Sequence, residues 1–245
     1  MNKEKTIHPN EQLDQPIPSW IMFSMPFYVA GIFAVFLFPF AGDWRWLEGW
    51  ILTIAMTANV SISNAIINRK NPRVLRNRMK LKKEGLSSKT KQSARSDRII
   101  MPILSVGFFG ALILPAFDHR FAWSTMPFAF SIVALLFSNA GLVLMYLAMI
   151  ENAYASKILD INKGQRIIDT GLYGVVRHPL YSGACLMIAG VPIALGSWWG
   201  LLPAVVGIFS IVWRIRFEED MLVKGMEGYP AYQKRVKYKL IPGIY

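Results

Sequence analysis

Long runs of residues without a charge limit most strongly what this chain can fold into. A transmembrane helix needs about 20 predominantly apolar residues, and residues 20–40 supply 21 uncharged positions in a row. Residues 49–67, 99–117 and 127–150 are uncharged as well. Residues 180–213 form an uncharged run of 34, which is longer than the roughly 17–25 residues of one span. Such a chain is predicted to be a membrane protein.

The longest uncharged run is predicted to divide at a turn. It contains Gly-Ser-Trp-Trp-Gly at 196–200, where glycine favours a turn and tryptophan favours the membrane interface. Division there produces a helical hairpin over 180–217 and six spans in total. The predicted fold class is therefore an all-α integral membrane protein with about six transmembrane helices.

The composition excludes several functional classes. Charged residues make up only 17% of the chain, against about 25% in soluble domains. Its single cysteine excludes a disulfide framework, and its three histidines lie too far apart for a local metal motif, so we expect no metal site. Gly-x-Gly, Gly-x-Ser-x-Gly and His-Glu-x-x-His do not occur, which removes the common nucleotide, hydrolase and metalloprotease signatures.

Lysine and arginine are distributed very unevenly among the loops. With six spans, 25 of the 27 basic residues fall on one side of the membrane, which the positive-inside rule identifies as the cytoplasm. We predict a cytoplasmic segment at 1–19 and four transmembrane helices over 20–150. A basic cytoplasmic loop at 68–98 interrupts them, and a functional region follows over 151–245. Both termini are then cytoplasmic.

The basic loop has two interpretations. Residues 68–98 hold 12 basic residues and two acidic ones. They act as an orientation signal, or they also attract anionic membrane lipids. Nucleic acid is not an expected partner, because no aromatic side chains alternate with these charges to stack on bases. The sequence leaves the oligomeric state open.

A first polar cluster precedes the hairpin. Pro179 disfavours the helical conformation at His178 and suits the first turn of a helix. Arg177 and His178 are thus predicted just outside a helix N-terminus, a position that attracts anions. Tyr181 and Gly183 follow in the first turns, and Gly183 allows a close approach. The alternative is that Arg177 reaches lipid phosphate and His178 only caps the helix.

A second polar cluster ends the hairpin. Arg214 and Glu218 share one helix face, and Glu219 adds a second acid at the membrane border. Since the turn is short, the two helices are antiparallel neighbours and the two clusters lie at the same depth. We therefore predict one joint site. The basic, amphipathic tail at 229–242 is predicted either to lie on the lipid headgroups or to fold over this site.

At these residues the chain resembles the isoprenylcysteine carboxyl methyltransferase and phospholipid methyltransferase superfamily. That pattern comprises Gly-x-Tyr, Arg-His-Pro-x-Tyr-x-Gly, a helical hairpin, Arg-x-x-x-Glu-Glu-x-x-Leu, Tyr-x-x-Tyr and Ile-Pro. It is carried here by Gly171, Tyr173, Arg177, His178, Pro179, Tyr181, Gly183, Arg214, Glu218, Glu219, Leu222, Tyr229, Tyr232, Ile241 and Pro242. The resemblance covers about residues 150–245.

The resemblance implies methyl transfer from S-adenosylmethionine, bound in a cytoplasmic pocket that the C-terminal half builds. The cofactor-binding residues it implies are Tyr173, Arg177, His178, Tyr181, Gly183, Glu218 and Glu219. We interpret Arg214 and Glu218 as catalytic: a guanidinium holds a carboxylate substrate, whereas an amine or thiol needs a base, for which Glu218 and His178 are candidates.

The acceptor is left open by the sequence. A lipophilic isoprenylcysteine-type carboxylate is the leading interpretation, followed by a phospholipid amine or a small thiol. The alternatives outside this class are a sterol-reductase-like enzyme that uses NADPH and a non-enzymatic membrane scaffold or transporter. Six spans argue against the former, and the absence of an internal repeat and of midplane charges argues against the latter.

Overall fold

The computed structural model describes residues 15–76, 91–152 and 167–245 of the 245-residue chain, with side chains at 91–96 left out. Within those ranges the secondary structure is helical and contains no β-strand. The helices are α1 (Ser19–Ala41), α2 (Leu47–Lys70), α3 (Lys91–Phe121), α4 (Phe128–Glu151), a 3₁₀ turn (Gly171–Gly174), α5 (Pro179–Ala194), α6 (Leu201–Gly225) and α7 (Tyr229–Arg235).

Four of these helices are long and apolar enough to cross a membrane. They are α1, α2, α3 from Asp97 onward, and α4. Helix α5 has 16 residues, a length of about 24 Å at 1.5 Å per residue. Helix α6 has 25 residues, but its uncharged part ends before Arg214. The all-helical class is confirmed and four helices are candidate spans, whereas the total of six spans, with the hairpin as two of them, stays a prediction.

Large apolar side chains cover the outside of the bundle. Trp20 and Phe23 are each 72% exposed on α1, and Phe209 is 66% exposed on α6. In the most apolar 18-residue stretch of α1, only 11% of the residues are buried in the protein. A contiguous apolar surface of this kind marks contact with another apolar phase, and helices of this length match the hydrocarbon core of a bilayer. The chain is an integral membrane protein.

Glycines bring two pairs of helices into backbone contact. A Cβ atom at Gly107 of α3 would overlap the backbone of Gly207 in α6, and one at Gly183 of α5 would overlap the backbone of Gly141 in α4. Small residues allow such close packing in membranes, where van der Waals contact replaces the hydrophobic effect as the driving force. The α5–α6 hairpin is thus packed against α3 on one helix and against α4 on the other.

The turn predicted at 196–200 is present between α5 and α6. A buried carboxylate anchors it: Asp118, near the end of α3, accepts hydrogen bonds from the Ser197 hydroxyl and from the Ser124 backbone N–H at 2.7 Å. The hairpin is therefore fixed at its closed end. Its open end, where α5 begins and α6 stops, carries the polar clusters.

The glycine contact between α3 and α6 predicts that a side chain added at Gly107 destabilises the protein more than one added at an uncrowded glycine. Gly107→Val should destabilise the protein by about 1–3 kcal/mol, because overpacking forces the two backbones apart. Gly31→Val is the matched control, since no atom lies within 4 Å of a Cβ placed there. Thermal unfolding of both variants in detergent measures the difference. Equal melting temperatures would contradict the packing assigned to Gly107.

Candidate functional site

A buried carboxylate lies at the centre of the open end of the hairpin. Glu219 Oε1 accepts a hydrogen bond from Arg177 Nε at 2.6 Å and lies 3.3 Å from His178 Nε2. Its second oxygen, Oε2, is 3.1 Å from Lys239 Nζ. The side chains of Arg177 and Glu219 are only 7% and 9% exposed. The two sequence clusters are therefore joined by a buried ion pair, and not by a solvated surface contact.

The cationic neighbours keep Glu219 ionised. The carboxyl lies beyond the uncharged part of α6. Burial raises its pKa, but hydrogen bonds from His178, Arg177 and Lys239 outweigh that effect and bring the pKa to about 2. An uncompensated buried charge is costly, whereas a charge with several hydrogen-bonding partners is stable. Glu219 is a carboxylate at neutral pH.

The tail of the chain folds over this cluster. Arg177 Nη1 donates to the backbone carbonyls of Val236 at 2.6 Å and Lys237 at 2.9 Å. The hydroxyl of Ser182 on α5 donates to the Leu240 carbonyl at 2.6 Å. Of the two placements predicted for the tail, the structure adopts the one over the site. Arg177 is a buried structural cation and does not extend to lipid phosphate.

The tail also pairs with the backbone directly before α5. The backbone N–H groups of Arg177 and His178 donate to the carbonyls of Tyr238 and Lys239, each at 2.9 Å. These donors are therefore occupied by the protein itself. Within the first turn of α5, the N–H groups of Tyr181 and Ser182 both donate to the His178 carbonyl, each at 3.0 Å.

Glu218 faces a different neighbour from Glu219. Its Oε2 accepts a hydrogen bond from the Tyr181 hydroxyl at 2.7 Å, and its side chain is half-buried. The Tyr181 ring stacks on the His178 ring, with centroids 5.7 Å apart. Glu218 and Tyr181 thus form an accessible polar pair beside the buried ion pair. The two adjacent acids therefore have different surroundings: Glu219 is buried in an ion pair, whereas Glu218 is half-buried and pairs with Tyr181.

Arg214 points to the N-terminal half of the protein. Its Nη2 lies 3.9 Å from Asp97 Oδ1 on α3, and its Nη1 lies 3.2 Å from the sulfur of Met101. Arg214 and Asp97 are both buried. The guanidinium was predicted to hold an acidic substrate, and the structure places an acid of the protein beside it. Asp97 thereby joins α3 to the candidate site.

Two glycines of the sequence pattern have clear structural reasons. Gly183 meets the backbone of α4 at Gly141, so the close approach predicted there is made by a neighbouring helix. Gly171 has a positive φ of 56°, and the Glu151 carboxylate fills the space beside it. That carboxylate accepts the Leu172 backbone N–H at 2.9 Å. Close packing against α4 explains why position 183 is a glycine, and its contact with the cofactor stays a prediction.

Tyrosines hold the 3₁₀ turn against helix α7. The Tyr232 hydroxyl donates to the Tyr173 carbonyl at 2.7 Å, and the rings of Tyr229 and Tyr232 pack with centroids 5.6 Å apart. All three side chains are buried. Burial raises the pKa of Tyr232 to about 12, so the hydroxyl stays a proton donor at neutral pH. Tyr173 thus lies next to the site, among the buried tyrosines that support it.

Sequence reasoning missed three residues that the site uses. Asp97 appeared only as a rare acid within the basic loop, although an acid directly before an apolar run is a signal of a specific partner. Lys239 appeared as one of many basic tail residues. Glu151 ends α4 and stabilises the Gly171 turn. Each acts across a long sequence separation that no local pattern reveals.

Comparison with known protein families finds a match in this region of the chain. Residues 129–227 match the model of the phospholipid methyltransferase family. The matched segment contains α4, α5 and α6 and therefore both polar clusters. This confirms the superfamily resemblance: the segment belongs to the superfamily of membrane methyltransferases that includes the isoprenylcysteine carboxyl and phospholipid enzymes. No curated protein matches the chain. Asp97 and Lys239 lie outside the matched segment.

The buried cluster predicts a large and pH-dependent effect of Glu219→Gln. Loss of the carboxylate leaves buried cations uncompensated, which typically costs about 3–5 kcal/mol. The folded-state pKa of about 2 lies below the ordinary value of 4.5, so the stability advantage of the natural protein exists above pH 4.5 and is lost as the pH falls towards 2.

Thermal unfolding in detergent between pH 8 and pH 3 measures this difference. Glu227→Gln serves as the control, because Glu227 is an exposed acid near the end of the same region. A melting temperature of Glu219→Gln equal to that of the control at pH 7 would show that the cluster does not stabilise the fold.

Proposed function

We propose that the chain is a membrane-embedded methyltransferase that uses S-adenosylmethionine at the open end of the α5–α6 hairpin. The single observation that carries the proposal is the half-buried Tyr181–Glu218 pair, which lies beside the buried Arg177–Glu219 anchor within the segment that matches the methyltransferase family. An accessible carboxylate on a rigid, preorganised support is what a cationic cofactor requires.

The chemistry of the donor set fits this cofactor. Glu218 supplies carboxylate oxygens that suit the ribose hydroxyls and the ammonium group. His178 and Tyr181 present a stacked pair of rings that suits an aromatic base or a sulfonium. The buried Arg177–Glu219 pair anchors His178, and Tyr173 is held beside it by the Tyr232 hydroxyl of α7. We assign them to cofactor binding as supports and leave Gly183 to helix packing.

Methyl transfer demands little covalent chemistry from the protein. S-adenosylmethionine supplies, when bound, an electrophilic methyl group. The residues of the site position the acceptor and exclude water, and these effects carry most of the rate. The tail over residues 236–240 covers the anchor and contributes to the exclusion of water. For a carboxylate acceptor no base is required, because it is already ionised at pH 7.

The acceptor has three candidate classes, and the two leading ones are lipophilic. The sequence pattern favours an isoprenylcysteine-type carboxylate held by Arg214. The position of Asp97, 3.9 Å from Arg214, favours an amine instead, as in a phospholipid, because the guanidinium charge is already partly balanced by a carboxylate of the protein. An amine would also find a proton acceptor in Glu218. A small thiol is a third acceptor of the same mechanism.

The sidedness of the site forms part of this proposal. The distribution of basic residues supports a cytoplasmic location for the open end of the hairpin and for both termini. That side holds the cell's supply of nucleotide-derived cofactors, so the proposed site and the proposed cofactor meet in the same compartment.

Ligand binding tests the cofactor assignment. The purified full chain should bind S-adenosylmethionine and its demethylated product in calorimetry. Glu218→Gln and Tyr181→Phe should each weaken binding at least about tenfold, as expected for loss of a charge-assisted hydrogen bond of roughly 1.5–3 kcal/mol. Asp220→Asn is the matched control, since Asp220 is the exposed acid next in the sequence. NADPH binding alone would move the protein to the reductase class, and binding of neither ligand by folded protein would favour a scaffold or transporter.

Asp97 provides a test of the acceptor class. If an amine is the acceptor, Asp97→Asn should lower kcat/KM for phosphatidylethanolamine and raise it for a farnesylcysteine analogue, because the Arg214 charge is then less compensated. Labelled methyl incorporation into each acceptor measures the ratio. A ratio equal to that of the natural protein would exclude a role of Asp97 in acceptor choice.

A further inference from the structure

We propose that a cleft between α2 and α4 is a binding site for an anionic phospholipid, with one acyl chain in the cleft and the phosphate at the basic end of α2. The cleft has a volume of about 460 Å³, within the range of roughly 300–1,000 Å³ for ligand pockets. It is lined by Asn59, Ile62, Ser63, Ile66, Val143, Tyr146, Leu147 and Ile150.

The lining follows one face of each helix. On both α2 and α4 the four residues are spaced by three, one and three positions, which places them in a single stripe along the helix axis. Most of them are aliphatic. Ile62 is 60% exposed, Ile66 is 43% exposed and Leu147 is 47% exposed. The cleft therefore runs along the axes of the two helices and opens to the lipid, as a binding groove for a hydrocarbon chain must.

The polar groups of the cleft are satisfied by the protein. The Asn59 amide Nδ2 donates to the carbonyl of Asn139 at 3.1 Å and to its Oδ1 at 3.0 Å. The Ser63 hydroxyl donates to Asn59 Oδ1 at 3.3 Å. The Asn59–Asn139 bonds tie α2 to α4 at this end of the cleft, and the Ser63 bond holds the Asn59 side chain from within α2. Asn59 therefore both lines the cleft and joins the two helices.

Positive charge continues the same stripe at the other end. Three and four positions beyond Ile66 are Arg69 and Lys70, which are exposed and end α2. Lys70 lies near the centre of the stripe and Arg69 lies at its edge, at 100° per residue. They begin the segment 68–98, which holds 12 basic residues and two acidic ones. Basic residues at this membrane depth attract the phosphates of anionic lipids.

The apolar groove and the terminal charge together identify the ligand. A free phosphate would use only the basic end, and an uncharged lipid would use only the groove. A phospholipid with a net negative headgroup uses both at once. Neither Tyr181 nor Glu218 lines the cleft, so the inference does not depend on the proposed function.

Photo-crosslinking tests the site directly. The full chain is reconstituted in phosphatidylcholine vesicles that contain phosphatidylglycerol with a diazirine on its acyl chain, and the labelled residues are mapped by mass spectrometry. We expect labelling of the α2–α4 cleft that unlabelled phosphatidylglycerol reduces and added phosphatidylcholine does not. Uniform labelling of all lipid-facing helices, equal competition by both lipids, or a crosslink to a second copy at the cleft would overturn the proposal.

Paired variants separate the two parts of the site. Lys70→Gln should reduce specific labelling about fivefold, the factor that corresponds to roughly 1 kcal/mol per basic residue. Lys224→Gln, at the exposed end of α6, should not. Leu147→Trp fills the groove and should abolish competable labelling, whereas Leu136→Trp adds the same ring to an exposed position of the same helix. If either pair behaves alike, the site is not the one proposed.

Discussion

The Glu219 carboxylate holds together three parts of the chain that are distant in sequence. It receives Arg177 and His178 from the start of α5 and Lys239 from the tail, while its own backbone belongs to α6. Placing a charge in so buried a position is unfavourable unless every oxygen is paired, and here both oxygens are. The relative positions of the hairpin, the residues that precede it and the tail therefore depend on this one interaction.

The geometry of the site then follows from helix packing below it. Glycine contacts fix α3 against α6 and α4 against α5, so the helices cannot slide relative to one another without steric overlap. That register brings Asp97 of α3 to Arg214 of α6. The site is consequently built from more than the family-matched segment, since α3 and the tail each add a charged residue to it.

Much of this architecture could be predicted from the sequence because the strongest signals are local. Uncharged runs predict helices α1 to α4, and the Gly-Ser-Trp-Trp-Gly turn predicts the hairpin. Pro179 predicts both the start of α5 and the non-helical conformation of His178, which has φ −127° and ψ 59°. Proximity of the two polar clusters follows from antiparallel helices with a short connection.

What could not be predicted depends on contacts between distant residues. Glu218 and Glu219 are adjacent and chemically identical, and only the packed structure shows that Glu219 is an anchor while Glu218 is accessible. The absence of a side chain at Gly183 allows helix α4 to pack closely, and the sequence does not identify that neighbour. The backbone N–H groups of Arg177 and His178 donate to tail carbonyls some 60 residues later in the chain, a pairing that no local pattern predicts. Sequence patterns identify the required residue and leave its partner undetermined.

The central claim is that the accessible Tyr181–Glu218 pair, supported by the buried anchor, carries methyl transfer. The most direct measurement supplies S-adenosylmethionine with a labelled methyl group to the purified chain in vesicles made from a total membrane lipid extract, and follows the label into the organic phase. Our account predicts time-dependent labelling of a lipid by the natural protein and by Asp220→Asn, and its loss in Glu218→Gln. Undiminished labelling by a folded Glu218→Gln variant, or no labelling by the natural protein with any acceptor in the extract, would contradict it.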